Sequence, residues 1–239
     1  MNIFDGGSGV QDHAPPRVNG VMVGVVTNNK DPENMARVKL KLPLREGEQE
    51  TDWVRIATLM AGKDRGTLFV PEVGDEVLVA FHLGEIREPY VIGALWNKTD
   101  TALPPDEKNN IRKIKSRSGH ELIFDDTSGE EKITVVTKKG HKIEMTDKDD
   151  TINVADKSGN NFVKIQGGST NTVTVKSTPC EITLNNKGDV VIKGTKSVKV
   201  EAPQINVEAQ AQLTLKGGAS VDIKSDGMLT IKGSMVKIN

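Results

Sequence analysis

Residues 181–239 read EITLNNKGDVVIKGTKSVKVEAPQINVEAQAQLTLKGGASVDIKSDGMLTIKGSMVKIN. Apolar residues recur here as pairs two positions apart, and the first members of successive pairs are spaced 8, 8, 7, 8, 8, 8 and 7 residues apart. Nearly every pair encloses a polar residue, which is typical of a β-strand with one buried face. The pairs are Ile182/Leu184, Val190/Ile192, Val198/Val200, Ile205/Val207, Leu213/Leu215, Val221/Ile223, Leu229/Ile231 and Val236/Ile238. The pattern predicts a ladder of very short strands.

Such a ladder cannot bury its apolar stripe within one chain. The free energy gained by burying two aliphatic side chains per octad offsets only part of the conformational entropy lost when eight residues are ordered. Short strands also need hydrogen-bonded neighbours on both sides. A single-chain β-helix needs repeats of about 20 residues or more to supply three strands per coil. Three identical chains could instead each supply one wall of a triangular prism. The octads therefore predict an intertwined homotrimeric, triple-stranded β-helix, or needle, with the apolar pairs as its axial core.

Composition excludes several other classes of protein. The chain has 32 Lys and Arg against 33 Asp and Glu, so no electrostatic argument favours nucleic acid as a partner. Its single cysteine, Cys180, permits no intrachain disulfide and is expected to be a small buried apolar group. There is no signal-peptide pattern at the N-terminus and no apolar run of about 18 residues. Synthesis in the bacterial cytoplasm is the expectation.

The chain is predicted to have four parts. Residues 1–17 are rich in Gly, Asp and Pro and are expected to be flexible. Residues 18–97 alternate short apolar runs with turn residues, which predicts a small barrel of the oligonucleotide/oligosaccharide-binding (OB) type. Residues 98–111 form a polar linker, and residues 112–239 form the trimeric β-helix, with strict octads from about residue 181. The predicted barrel strands are Val21–Thr27, Arg37–Leu42, Trp53–Met60, Glu76–Leu83 and Tyr90–Leu95.

The first part of the β-helix has a looser period than the octads, of about 9 to 11 residues. Glycines separate its apolar pairs, as expected where the backbone turns. These pairs are Leu122/Phe124, Ile133/Val135, Ile143/Met145, Ile152/Val154, Val163/Ile165 and Val173/Val175. Longer turns are therefore expected here than in the octads.

Several segments together resemble a known family. They run in the order Asp31-Pro32, RVKLKLP at 37–43, WVR at 53–55, FVPEVGDEVLVAF at 69–81, PYVIGALW at 89–96 and SGHELIFDD at 118–126. This order is similar to that of the phage baseplate assembly protein V and VgrG family, the central spike of contractile tails and related injection systems. The resemblance covers residues 20–239, and the segments at 69–81 and 118–126 are its most specific parts.

The resemblance implies a structural, membrane-piercing central spike with no catalytic residue and no cofactor. The OB domain would dock to a tail hub protein that is a separate chain, a PAAR-like protein is a candidate partner at the tip, and the target is a cell envelope. The chain would be assembled into the baseplate of a phage tail or phage-tail-like particle. Two alternatives stay open: a trimeric receptor-binding tail fibre, and a β-helical polysaccharide-degrading enzyme, which the short octads argue against.

Few residues are candidates for chemistry. His120 and His141 share strand parity with inward-facing apolar pairs, so three symmetry copies of either could bind a transition metal. A hydrogen-bonded histidine at a turn is the favoured interpretation, and no metal site is assigned. The carboxylates of Asp125-Asp126 and of residues 147–150 are expected to be turn residues. Trp53 and Phe81 lie in alternating strand patterns and are expected in the core.

Overall fold

The computed structural model describes residues 17–43, 50–104 and 106–238. The segment predicted at residues 1–17 lies outside these ranges except for Arg17. The chain divides into two compact units, one that ends at Ile111 and one that begins at Arg112. The described residues contain strands and one short 3₁₀ turn but no α-helix, so the predicted all-β class is confirmed. In the same ranges, no helix has the length and apolarity needed to cross a bilayer.

The first unit is a small barrel of short strands. Five of its strands form one sheet in the order β2-β1-β6-β7-β3, and β4 and β5 form a separate hairpin. Val38 and Val54 exchange backbone N–H···O bonds of 3.0 and 2.8 Å, which brings the β2 and β3 ends of the sheet together. The strands are β1 Val21–Asn28, β2 Lys39–Lys41, β3 Arg55–Ile56, β4 Ala61–Gly62, β5 Arg65–Gly66, β6 Glu76–Phe81 and β7 Pro89–Leu95.

The barrel core follows directly from the alternation of its strands. Every second residue of β6 points inward, so Val77 and Val79 are completely buried. The inward residues are aliphatic, which lets short strands pack closely without leaving polar groups unpaired. The buried set is Val26, Val38, Leu40, Leu42, Val54, Val77, Val79 and Val91. This small core gives the barrel its own source of stability.

Three predicted barrel strands are longer than the observed ones. The strand predicted at Trp53–Met60 is regular only at Arg55–Ile56, because the chain then turns into the β4–β5 hairpin and leaves Leu59 94% exposed. The strand predicted to reach Leu83 ends at Phe81, where a 3₁₀ turn places Leu83 at a positive φ of 48°. The strand predicted at Arg37–Leu42 shortens to β2. In the first two cases apolar residues in turns extended the prediction, whereas in the third the buried residues Val38 and Leu42 flank the regular strand.

The second unit is an antiparallel meander. Its nine strands pair in chain order, each with the strand before it and the strand after it. All six apolar pairs predicted between residues 122 and 175 lie in these strands. The strands are β8 Ile111–Lys115, β9 Glu121–Asp125, β10 Lys132–Val136, β11 Lys142–Thr146, β12 Thr151–Ala155, β13 Asn161–Gln166, β14 Thr172–Ser177, β15 Cys180–Asn185 and β16 Val190–Lys193.

Candidate assembly surface

The apolar pairs of the meander align into two continuous rows on one face of the sheet. The antiparallel register places each apolar residue directly opposite an apolar residue of the next strand, from β9 to β16. The first row is Phe124, Ile133, Met145, Ile152, Ile165, Val173, Leu184 and Val190. The second row is Leu122, Val135, Ile143, Val154, Val163, Val175, Ile182 and Ile192. We call these sixteen residues the apolar face.

The single chain leaves this face uncovered. Leu122 and Val173 are half-buried, and the exposed fractions of the other side chains run from 36% at Ile133 to 65% at Val190. The residues between the apolar ones, such as Lys164, lie on the opposite face and are only half-exposed. A contiguous apolar face of this extent is typical of a surface that another protein covers, because soluble monomers rarely expose large apolar patches.

The octads beyond β16 continue the pattern without forming strands within the chain. Residues 194–238 make no strand pairing with any part of the described chain. The strands predicted at the last six apolar pairs therefore do not form in a single chain. Strands this short are not stable without hydrogen-bonded neighbours. This segment therefore has the sequence of a strand ladder but lacks its pairing partners.

The predicted axial core of the needle is also not buried within one chain. Its four members in β15 and β16 belong to the exposed part of the apolar face, and the twelve members beyond β16 are 52–87% exposed. Those twelve are Val198, Val200, Ile205, Val207, Leu213, Leu215, Val221, Ile223, Leu229, Ile231, Val236 and Ile238. The physical reason is that one chain supplies a single wall of short segments, with no second layer to cover its apolar side. Burial of these residues on a three-fold axis stays a prediction that requires two further chains.

Two glycines keep the bends of the octads tight. A Cβ atom on Gly194 would lie 2.8 Å from the carbonyl oxygen of Ser197, and one on Gly217 would collide with the carbonyl oxygen of Ser220. Each bend is followed directly by the first residue of an apolar pair. These close approaches explain why glycine occupies both positions.

The two candidate metal residues have the same structural role, one in the turn after β8 and the other in the turn after β10. The carbonyl oxygen of His120 accepts a bond of 2.9 Å from the amide of Ser116, and that of His141 accepts one of 2.9 Å from Thr137. The Ser116 Oγ and Thr137 Oγ1 accept in turn from the two histidine amides. His120 Nδ1 also accepts from the amide of Lys138, at 3.3 Å. The structure thus places both histidines at hydrogen-bonded turns, and no cluster of three potential metal ligands occurs among the described residues.

Of the carboxylates predicted as turn residues, Asp125 ends β9 and is hydrogen-bonded to the turn that follows, and residues 147–150 form the turn after β11. The hydroxyl and amide of Thr127 donate to Asp125, and these bonds lower the pKa of the Asp125 carboxyl. At the turn after β12, Asn161 and Ser158 donate side-chain hydrogen bonds to Asp156 and lower the pKa of Asp156 to about 2. Carboxylates engaged in this way stabilise turns.

Three further predicted positions divide between core and surface. Phe81 packs partly buried against the barrel core, as expected. Trp53 is outside the fully buried set, half-exposed beneath the ammonium of Lys39, whose Nζ lies 5.6 Å from the ring centroid. Cys180 is on the same face as Ile182 and Leu184 but is exposed in the single chain. Its predicted burial therefore depends on what covers the apolar face.

Sequence reasoning missed one polar network in the barrel. The Asp31 carboxylate accepts 2.9 and 2.7 Å bonds from the Arg37 guanidinium and further bonds from the amides of Glu33, Met35 and Arg37. The guanidinium beside it holds the pKa of the Asp31 carboxyl well below its usual range. In the sequence, Asp31-Pro32 and the Arg37 that follows are the residues from which the network could have been predicted. The network fixes the β1–β2 loop.

Comparison with known proteins shows which family and which relatives the chain resembles. Residues 22–96 match the type VI secretion system/phage-baseplate injector OB domain. The chain is 31% identical over 140 residues to the type VI secretion system spike protein VgrG3 of Vibrio cholerae, which covers 53% of this chain and 14% of that protein. It is 27% identical over 237 residues to the spike protein VgrG1a of Pseudomonas aeruginosa, covering 92% of this chain and 36% of that protein.

A third relative has a different name. The actin cross-linking toxin VgrG1 of Vibrio cholerae is 29% identical over 138 residues, covering 52% of this chain and 13% of the toxin. The chain thus spans 13–36% of the length of these three relatives. The alignment with VgrG1a nevertheless runs through most of the barrel and the meander. The resemblance to baseplate protein V and VgrG is confirmed: residues 22–96 match the injector OB domain, and the chain is similar to VgrG-type spike proteins.

Proposed function

We propose that this chain is the structural central spike at the tip of a contractile tail or injection machine. It assembles as a homotrimer in which the apolar face of each chain is covered by the other two. Its OB domain docks to a separate tail hub protein, and the β-helix pierces the target envelope when the sheath contracts. The observation that carries the proposal is the apolar face, which is continuous over eight strands and uncovered in the single chain.

Burial of the apolar face would make the trimer a rigid rod. Covering sixteen aliphatic or aromatic side chains per chain removes a large apolar area from water, at roughly 25 cal/mol per Å². Beyond β16 the octads gain strand neighbours only from other chains, so folding and association of that segment are one event. A prism in which every strand is paired has no open edges. Such a rod transmits force along its axis onto a narrow area of membrane.

The barrel supports the docking part of the proposal. Its surface carries a group of exposed apolar side chains around the β4–β5 hairpin, and exposed apolar patches of this kind often mark contacts with other proteins. Phe69 is 68% exposed and Leu68 is 75% exposed. The group comprises Met35, Leu59, Met60, Leu68 and Phe69. These residues are candidates for contact with the hub.

The test is to locate the chain in its parent particle. Contractile particles purified with an affinity-tagged copy of the chain and imaged by cryo-electron microscopy should show a three-fold rod on the tail axis, beyond the tube. Particles from a strain that lacks the gene should fail to penetrate target cells. Tagged density on lateral fibres would support the receptor-binding alternative and overturn the spike. Complete particles with normal penetration in the deletion strain would also overturn it.

A further inference from the structure

The turns of the meander form two separate edges. In an antiparallel meander, successive turns alternate between opposite ends of the strands. Edge one holds the turns 116–120, 137–141, 156–160 and 178–179, and edge two holds the turns 126–131, 147–150, 167–171 and 186–189.

Hydrogen bonds between turns confirm this grouping. The amide of Lys138 reaches His120 along edge one. On edge two, the amide of Asp147 donates to the carbonyl of Glu131 at 3.1 Å, and that of Gly167 donates to Asp150 at 2.8 Å.

The two edges have opposite charge. Edge one carries four basic residues and a single carboxylate, Asp156, which is occupied by hydrogen bonds within its own turn. Edge two carries seven carboxylates and only two lysines, Lys148 and Lys187. The basic residues of edge one are Arg117, Lys138, Lys139 and Lys157. The acidic residues of edge two are Asp126, Glu130, Glu131, Asp147, Asp149, Asp150 and Asp189.

Several charges at the strand ends of the meander are paired locally. At strand ends, Glu121 is paired with Lys115 at 2.7 Å, Asp125 with Lys132 at 3.5 Å and Lys176 with Glu181 at 3.6 Å. By contrast, Lys138, Lys139 and Lys157 form no ion pair with any residue that the structure describes. On edge two, Glu130 is paired with Lys148 and Asp126 with Arg112. The other five carboxylates of edge two face a single remaining lysine, Lys187, so the edges stay opposite in charge after these pairs are counted.

We infer that edge one of each chain lies against edge two of the next chain around the three-fold axis. This inference rests on the proposed homotrimer. When three sheets close into a prism with their apolar faces inward, each corner joins the turns of one sheet to the opposite turns of its neighbour, because the interface is heterologous. Basic turns then face acidic turns at all three corners. Each edge is thus covered by a second copy of this chain.

The positions of the turns along the trimer axis support the pairing of edge one with edge two. A closed three-fold assembly has no rise between chains, so residues at the same level of one chain face the same level of the next. The turn 137–141 joins β10 to β11, and the turn 147–150 joins β11 to β12. These turns are therefore centred one strand apart, about 4.8 Å. Lys138 and Lys139 of one chain would accordingly meet Asp147 and Asp149 of its neighbour.

Complementary corners give the trimer its register. The apolar rows are similar at every level, so they stabilise shifted or inverted arrangements almost as well as the correct one. A shift of one turn changes which charges meet, and an inverted chain would place like charges together, which is unfavourable. The charged edges therefore select the correct alignment of three chains that the apolar face alone leaves ambiguous.

The test is a charge reversal with rescue in the full chain. Lys138→Glu/Lys139→Glu makes both edges acidic, and Asp147→Lys/Asp149→Lys weakens the acidic edge. Each double variant, refolded from denaturant at low salt, is expected to give about tenfold less trimer than the wild type, with the deficit shrinking in 1 M salt where the screening length is about 3 Å. The variant with all four reversals is expected to recover, because opposite charges face each other again.

Lys164→Glu is the control, since it reverses a charge at the centre of β13 on the polar face. It is expected to refold like the wild type. If the wild type is trimeric but the double variants refold normally, or the fourfold variant does no better than either, the edge pairing is wrong while the proposed function stands. If the wild type is not a trimer, the proposed function itself fails.

Discussion

Val221→Asp is expected to abolish the trimer, whereas Asp222→Lys is expected to leave it intact. Val221 is the first member of an octad pair and Asp222 lies between its two members. Three-fold symmetry repeats each substitution three times in one layer of the needle, so Val221→Asp would crowd three carboxylates into an apolar axis. Each buried, unpaired charge costs several kcal/mol.

The matched control has the opposite expectation. Asp222 is an exposed residue whose nearest cation, Lys224 Nζ, is 3.9 Å away. An exposed pair of this kind contributes little, so Asp222→Lys should change stability by about 0.5 kcal/mol or less per chain. SDS resistance and thermal melting of the purified proteins measure both. Normal assembly of Val221→Asp together with loss of the trimer in Asp222→Lys would mean that the stripe faces outward.

Val26→Ala is expected to destabilise the OB domain by about 2–3 kcal/mol, because two buried methyl groups are lost and a cavity remains. Val26 is 1% exposed in the barrel core, while Val25, its neighbour in β1, is 39% exposed. Val25→Ala makes the same chemical change and should cost about 0.5 kcal/mol or less. Both tryptophans, Trp53 and Trp96, lie in the first unit, so urea unfolding followed by their fluorescence reports on the barrel. Equal losses in the two variants would contradict the observed strand parity.

Strand positions within residues 111–193 could be predicted from the sequence because the periodicity there is simple. Pairs such as Ile143/Met145 and Val163/Ile165 are separated by glycine-containing turns, so both the strand and its apolar face follow from local order. The antiparallel register and the continuous meander of residues 111–193 could not be predicted in this way, because periodicity alone does not say which strands pair.

Barrel strand ends were harder to predict because apolar residues near them lie in turns and on the surface as well as in the core. Leu59 and Met60 look like the continuation of a strand, yet they lead into the β4–β5 hairpin and are exposed. Leu83 likewise extends an apolar run but occupies a 3₁₀ turn. In both cases the pairing partner on the neighbouring strand decides where a strand ends, and this information is not local.

The candidate site was partly predictable for a related reason. The apolar pairs follow from periodicity, but the charged edges follow from topology: Lys138 and Asp147 are nine residues apart in sequence and lie at opposite ends of β11. Only the alternation of turns in a meander separates the lysines from the carboxylates. A count of charges, which is nearly balanced for the whole chain, conceals this separation.

The central claim is that the apolar face and the octads are covered by two further copies of the chain. Multi-angle light scattering of the purified full-length protein, over a hundredfold range of concentration, tests it most directly. One chain has a mass of 25.9 kDa, and the account predicts a single folded species of three times that mass at every concentration. A folded monomer of about 26 kDa with the strand content of the meander would contradict it.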